Sequence, residues 1–266
     1  MTAAIRTSYV ETALGPLHLR SAGDGFPVLL LHQTPRSGDE YRDVLPLLAE
    51  DYRALAMDTP GFGASPAQGA PSIESWARAA LALLDALSAP KAAVVGHHTG
   101  AAIALEIAAA APDRVAALVL SACPFVDADR RAHHASKPVI DEVEIAADGA
   151  HLAELWRRRQ PFYPPGDTDL LTRFVADALK CGQMAAEGHR VVNRYHMERR
   201  IGFVRAPTLV LAPTEDPHAF PAAPKVAAAI RGAILHDAPG AMVPFPDQQP
   251  RQFATFVRDF LRAQNL

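Results

Sequence analysis

The chain has few cysteines, little net charge and no long apolar run. Cys123 and Cys181 are the only cysteines among 266 residues, and their spacing fits neither a disulfide framework nor a metal site. Sparing use of cysteine is typical of proteins from a reducing compartment. We therefore expect a cytoplasmic protein that holds no metal.

Neither a membrane nor a nucleic acid is an expected partner. The longest apolar stretch, residues 101–111, is interrupted by Glu106 and is too short to cross a bilayer. Residues 1–6 contain no apolar segment of the kind that directs secretion. The formal net charge is −3 without a basic stripe, which argues against nucleic-acid binding.

Apolar runs bounded by turn residues alternate with amphipathic or Ala/Leu-rich segments. This alternation predicts an α/β fold with an open, mostly parallel, doubly wound sheet. After a hairpin over residues 8–20, the predicted buried strands cover residues 26–31, 52–57, 91–95, 115–120, 208–212 and 233–236. The predicted helices of this part cover residues 39–50, 72–87, 99–110, 222–231 and 249–262.

The alternation stops between residues 124 and 205, where no buried strand is predicted. An insertion of about 80 residues is too long for a loop. We predict a core domain formed by residues 1–123 and 206–266, and a helical cap formed by residues 124–205. Ligands of such sheets bind at the carboxyl ends of the strands, so the cap is expected to lie there.

A histidine occupies a position that normally carries a nucleophile. Residues 96–100 read Gly-His-His-Thr-Gly between a predicted strand and an Ala-rich helix. A Gly-x-Nu-x-Gly sequence in that context is typical of the nucleophile elbow, a tight turn that lifts its central side chain into a pocket. The central residue is His98, where Ser, Cys or Asp is usual.

Five motifs in order make the chain similar to the α/β-hydrolase superfamily. After the hairpin come His32-Gln33-Thr34-Pro35, an Asp-x-Pro-Gly-x-Gly-x-Ser sequence at residues 58–65, the elbow, and an apolar strand at residues 207–212. The resemblance implies a capped α/β-hydrolase fold with a Ser–His–Asp triad. Gln33 replaces the glycine that the family places after its first histidine.

The resemblance does not extend to the full triad. Asp216 matches the acid position, but residues 239–244 and the chain beyond them contain no histidine at the base position. A serine mechanism needs a histidine to take the serine proton. With His98 at the elbow and no base in place, a serine-type esterase is not predicted.

Two interpretations of His98 compete. In one, the elbow is degenerate and the protein no longer catalyses. In the other, the imidazole is a general base, since it titrates near neutrality. The reach of His98 allows a dyad in which Asp216 fixes its tautomer, although Asp216 could instead cap the following helix.

The resemblance also implies an oxyanion hole formed by the backbone amides of Thr34 and Thr99. A plain helix start at Thr99 is the alternative. Gln33 is expected at the pocket floor, where it could contact substrate. The other candidates for substrate contact are His218, Trp156, Tyr163 and Tyr195.

We therefore expect a cofactor-independent enzyme that acts on a small carbonyl or ester compound, as a hydrolase or as a lyase through an enolate. The rival class is a non-catalytic binder or sensor with the same pocket. A small-molecule substrate is the expected partner, and a homodimer is an open alternative to a monomer.

Overall fold

The computed structural model describes residues 3–266, and its centre is an eight-stranded sheet. The strands are β1 (Arg6–Thr12), β2 (Gly15–Ala22), β3 (Phe26–Leu31), β4 (Tyr52–Met57), β5 (Ala92–His97), β6 (Val115–Ser121), β7 (Thr208–Pro213) and β8 (Ile234–Ala238). Their order across the sheet is β1-β2-β4-β3-β5-β6-β7-β8. Strand β2 is antiparallel to both of its neighbours, β1 and β4. All other neighbouring strands in the sheet are parallel. The predicted α/β class and sheet type are confirmed.

Helices cover both faces of the sheet. They are α1 (Leu45–Leu48), α2 (Ile73–Ala86), α3 (Thr99–Ala110), α4 (Ala128–His134), α5 (Ala150–Arg159), α6 (Thr168–Cys181), α7 (Met184–Arg194), α8 (Ala223–Ala229), α9 (Phe245–Gln248) and α10 (Pro250–Ala263). One apolar core packs α2, α3 and α8 on one face, and a second packs α1 and α10 on the other. Among the described helices, none is long and apolar enough for a membrane crossing.

The single helix predicted over residues 39–50 is wrong, because the segment forms two short helical pieces. The segment contains a short 3-10 helix, Gly38–Tyr41, followed by the four-residue helix α1. Pro46 lacks a backbone N–H and clashes with the preceding turn of a helix. A helix can therefore begin at this proline but cannot run through it.

Four helices, α4 to α7, lie between β6 and β7. Three of them, α5, α6 and α7, share a small apolar core around Leu171 and Phe174. We call residues 124–205 the insertion.

Candidate active site

The elbow holds His98 in a backbone conformation that few residues adopt. His98 has φ 48° and ψ −111° at the junction of β5 and α3. A Cβ at Gly100 would lie 1.9 Å from the Leu31 carbonyl oxygen, and one at Gly96 would lie 2.1 Å from the Gly100 carbonyl oxygen. Because no larger residue fits at either glycine, the turn stays tight and presents His98 at the end of the strand.

His98 and Asp216 come together as predicted from their positions. His98 Nε2 lies 2.7 Å from Asp216 Oδ2, with the His98 side chain 18% exposed and the Asp216 side chain fully buried. The two atoms are at hydrogen-bond distance, but their alignment is too poor for a regular hydrogen bond. Catalytic hydrogen bonds are often poorly aligned before substrate binds. The contact leaves Nδ1 as the imidazole nitrogen available to other groups.

Asp216 is held as a carboxylate. Its Oδ1 accepts hydrogen bonds from the backbone N–H groups of His218 (2.9 Å) and Ala219 (3.1 Å). Burial alone would raise the pKa of Asp216, but His98 and the backbone N–H of His218 outweigh burial and lower it to about 2. Asp216 is therefore ionised at neutral pH and can orient the imidazole.

The loop after β8 contains no histidine. His97, which precedes His98 at the elbow, contacts this loop instead. His97 is buried, with Nε2 2.8 Å from the Val243 carbonyl oxygen and Nδ1 3.0 Å from Ser121 Oγ. Burial and the adjacent His98 lower the pKa of His97 to about 3. His97 is therefore a neutral structural residue, as its place before the elbow suggested.

The loop after β3 lies directly beside the elbow. The Thr34 N–H donates to Thr99 Oγ1 at 3.3 Å, which places both predicted oxyanion residues at one point. Thr99 is the first residue of α3, so its N–H has no acceptor within the helix. His32 braces this loop, because its Nε2 accepts from the Thr59 N–H at 2.9 Å and its Nδ1 lies 2.8 Å from the Gln33 carbonyl oxygen.

A cavity of about 1350 Å³ lies between the elbow and the insertion. Its floor includes Gln33, Thr34, His98 and Thr99, together with Val243 from the loop after β8. The insertion contributes most of the remaining wall. Many of those wall residues are basic: Arg130, Arg131, His133, His134, Lys137, Arg159, His189, Arg190, Arg194 and His196.

Most of the arginines in this wall are neutralised by carboxylates, but Arg130 is not. Within residues 3–266 no carboxylate oxygen lies within 4.0 Å of its guanidinium, and Nε donates to Asn193 Oδ1 at 3.3 Å. Burial lowers the pKa of Arg130, and Cys123 and Asp127 oppose this effect only in part. Asp129 is the single acidic residue that lines the cavity.

Three predicted contact residues lie elsewhere, which corrects their expected place at the cavity. Trp156 and Tyr163 pack in the core of the insertion, where the Tyr163 ring meets Phe174. The Tyr195 hydroxyl donates to Glu106 at 2.7 Å, behind α3. Residue pattern alone does not show whether an aromatic side chain of the insertion faces the cavity or the insertion's own core.

Gln33 and His218 do line the cavity. The Gln33 side chain donates to Glu40 at 2.6 Å, which fixes its amide. The His218 ring packs against Phe162 with centroids 4.5 Å apart. His133 and His134 also belong to the cavity wall.

Sequence reasoning missed Arg130, Asp141, Arg159 and His189. Asp141 and Arg159 form a buried ion pair, and His189 contacts Asp141. Arg159 belongs to an Arg-Arg-Arg run that resembles a solvated helix face in sequence. No signal in the sequence shows that Asp141, 18 residues earlier, neutralises it.

The fold agrees with comparisons to known proteins. A family model described as the alpha/beta hydrolase fold matches residues 27–202, more than half of the chain. The chain belongs to the alpha/beta hydrolase fold family.

Curated relatives match over a limited segment. The 2-hydroxymuconate semialdehyde hydrolase of Pseudomonas sp. (strain CF600) is 37% identical over 108 residues, which cover 39% of this chain and 38% of the relative. The 2-hydroxy-6-oxo-6-phenylhexa-2,4-dienoate hydrolase of Burkholderia cepacia is 36% identical over 110 residues, with the same two shares. The matches therefore span less than two fifths of these relatives.

Solved structures match over nearly the whole chain. A hydrolase from Pseudomonas aeruginosa PA01 aligns with a TM-score of 0.78 and 23% identity, covering 96% of this chain and 98% of that one. The enol-lactonase from Burkholderia xenovorans LB400 aligns with a TM-score of 0.78 and 20% identity, covering 96% and 100%. At these identities the likeness shows the fold.

Proposed function

We propose that the protein is a cofactor-independent enzyme in which His98 is the general base and Asp216 orients it. The observation that carries this proposal is the 2.7 Å contact between His98 Nε2 and Asp216 Oδ2 at the elbow. The carboxylate favours the tautomer with a proton on Nε2, which leaves the lone pair of Nδ1 free to accept a proton. The dyad replaces the Ser–His–Asp triad.

The proposed reaction is hydrolysis by an activated water, or bond cleavage through an enolate. His98 Nδ1 takes a proton from water or from a carbon next to a carbonyl. Negative charge then develops on the carbonyl oxygen, and the N–H groups of Thr34 and Thr99 stabilise it. The Thr34 N–H must exchange its contact with Thr99 Oγ1 for the substrate oxygen.

We propose a small carbonyl compound that carries a carboxylate as substrate. The basic wall of the cavity favours an anion, and Arg130 is a partly buried cation without a carboxylate partner among the described residues. A carboxylate that accepts from the Arg130 guanidinium would satisfy it. The two curated relatives are named for a semialdehyde and for an oxo-dienoate, which supports a carbonyl substrate.

The test is a turnover screen of activated esters, lactones and β-diketones, each with and without a carboxylate. We expect His98→Ala to lower kcat by about 10²–10⁴-fold, which is the usual contribution of a general base. The matched control is His236→Ala, which removes an exposed histidine of β8. We also expect fluorophosphonate probes not to label the protein, since no serine stands at the elbow.

Equal turnover in wild type and His98→Ala would overturn the base assignment. If no compound turns over and ligands bind both proteins equally, the protein is a binder. Labelling by a fluorophosphonate would instead indicate a serine nucleophile elsewhere.

A further inference from the structure

A second histidine–aspartate pair lies at the cavity, and its histidine, His189, belongs to the lining. His189 Nε2 lies 2.7 Å from Asp141 Oδ2, with the His189 side chain 26% exposed and the Asp141 side chain fully buried. The arrangement repeats that of His98 and Asp216, with the same nitrogen, the same carboxylate oxygen and the same distance. His189 lines the cavity, so its imidazole is accessible to a ligand there.

Arg159 holds this pair in place. Its Nε donates to Asp141 Oδ1 at 2.7 Å, a second guanidinium nitrogen contacts Oδ2, and the guanidinium lies over the Phe174 ring at 4.8 Å. Burial raises the pKa of Asp141, but Arg159 and His189 outweigh it and hold that pKa well below its usual range. Asp141 therefore stays ionised and keeps one nitrogen of His189 engaged.

The helix that carries His189 packs against the predicted oxyanion loop. A Cβ at Gly188 would lie 2.6 Å from Thr34 Cγ2, so the backbone of α7 touches Thr34 directly. His189 is the next residue along α7. His189 and His98 line the same cavity.

We propose that His189 is a second catalytic residue, a general acid, and that Asp141 positions it. This inference rests on the proposed function. His98 Nδ1 takes a proton from water, and the oxygen of that water bonds to the carbonyl carbon while the carbonyl electron pair moves to oxygen. As the electron pair returns, the bond to the leaving group breaks and protonated His189 gives that group its proton. Exchange with solvent then returns one proton to His189 and removes one from His98.

The pair of residues predicts a bell-shaped pH–rate profile. A rate that needs an unprotonated base falls at low pH, and a rate that needs a protonated acid falls at high pH, so the profile has an acidic and an alkaline limb. His189→Gln is the informative variant because it leaves the buried Arg159–Asp141 pair intact. We expect it to lower kcat by about 10²–10⁴-fold and to remove the alkaline limb while the acidic limb stays.

A binding measurement tests the same residue without turnover. Phenylphosphonate mimics a tetrahedral anion, and we expect calorimetry to show at least about tenfold weaker binding to His189→Gln than to wild type. The control is His151→Gln, which removes a histidine of α5 outside the cavity lining. Asp141→Asn should shift the imidazole NMR signals of His189 and leave those of His236 in β8 unchanged, whereas loss of fold would shift both.

Failure of this inference is distinct from failure of the proposed function. If His98→Ala is inactive while His189→Gln keeps wild-type kcat, pH profile and phosphonate affinity, His189 is structural. If His98→Ala and wild type turn over equally, the base assignment fails instead. Absence of phosphonate binding to wild type would also overturn the role of His189.

Discussion

At the scale of single residues, the ligand that the cavity prefers depends on which arginines in its wall are paired with carboxylates. Arg131 pairs with Glu198 and Arg159 pairs with Asp141, so carboxylates of the protein largely neutralise both positive charges. Arg130 stands between them in the wall with only Asn193 beside its Nε. Burying a cation without a partner is costly, and an anionic ligand would remove that cost.

Arg130→Gln should weaken the binding of carboxylate-bearing substrates specifically. A hydrogen bond to a charged group contributes enough that its loss corresponds to a KM roughly 10- to 100-fold higher. The corresponding methyl ester should show little change, because it carries no charge for the guanidinium to bind. Arg131→Gln is the adjacent control, since its charge is already matched by Glu198. Equal KM changes for acid and ester would contradict the assignment.

At the scale of elements, short-range patterns were predicted well and long-range contacts were not. The segment from Thr99 to Ala110 was predicted as a helix with its observed bounds, because an elbow glycine precedes it and Ala-rich sequence continues it. The resemblance put Asp216 at the acid position and His98 at the elbow, and the reach of the imidazole allowed the contact that the structure shows. Tyr163 and Tyr195 were misplaced, since pattern alone does not orient a helix in an insertion.

The contact between α7 and the oxyanion loop depends on one glycine. Gly188→Ala places a methyl group 2.6 Å from Thr34 Cγ2 and 2.8 Å from the Phe62 ring, so α7 or the loop must move. A misplacement of about 1 Å can cost about 100-fold in rate. We expect kcat/KM to fall by at least about tenfold, which steady-state kinetics on any substrate from the screen would show.

Gly202→Ala is the matched control for this helix contact. A Cβ at Gly202 meets no atom within 4 Å, and the residue lies outside the cavity lining. Its kcat/KM should stay within about twofold of wild type, as is usual for surface substitutions. Equal kcat/KM values in Gly188→Ala and wild type would show that the oxyanion loop tolerates displacement.

At the scale of the whole molecule, a buried ionic network joins the insertion to the core. Arg36 pairs with Asp177 of α6 and with Asp247 of α9, and Arg173 of α6 pairs with Asp39 and with Asp247. Burial raises the pKa of Asp247 in this network and that of the neighbouring Glu40. A proton is therefore retained on a buried acid at neutral pH.

Glu40 lies at the edge of this network, and its raised pKa should make the free energy of unfolding depend on pH. Burial, aided by the Asp247 charge, raises the pKa of Glu40 from 4.5 to about 8 despite the opposing charge of Arg36. The folded protein thus keeps a proton that the unfolded chain releases above pH 4.5. The free energy of unfolding therefore falls as the pH rises from about 4.5 to about 8, by at most about 1.4 kcal/mol per pH unit from this group.

Glu40→Gln should remove this contribution because glutamine is neutral at every pH and can still accept a hydrogen bond from Gln33. Urea unfolding of both proteins between pH 5 and 9 is the measurement. We expect the wild type to lose stability more steeply than the variant up to about pH 8, and the two curves to run parallel above it. Glu50→Gln, at a carboxylate that is 63% exposed, should follow the wild-type curve. Parallel curves for Glu40→Gln and wild type across the whole range would mean that Glu40 is already ionised in the folded protein, held so by Arg36 and the two donors of Gln33.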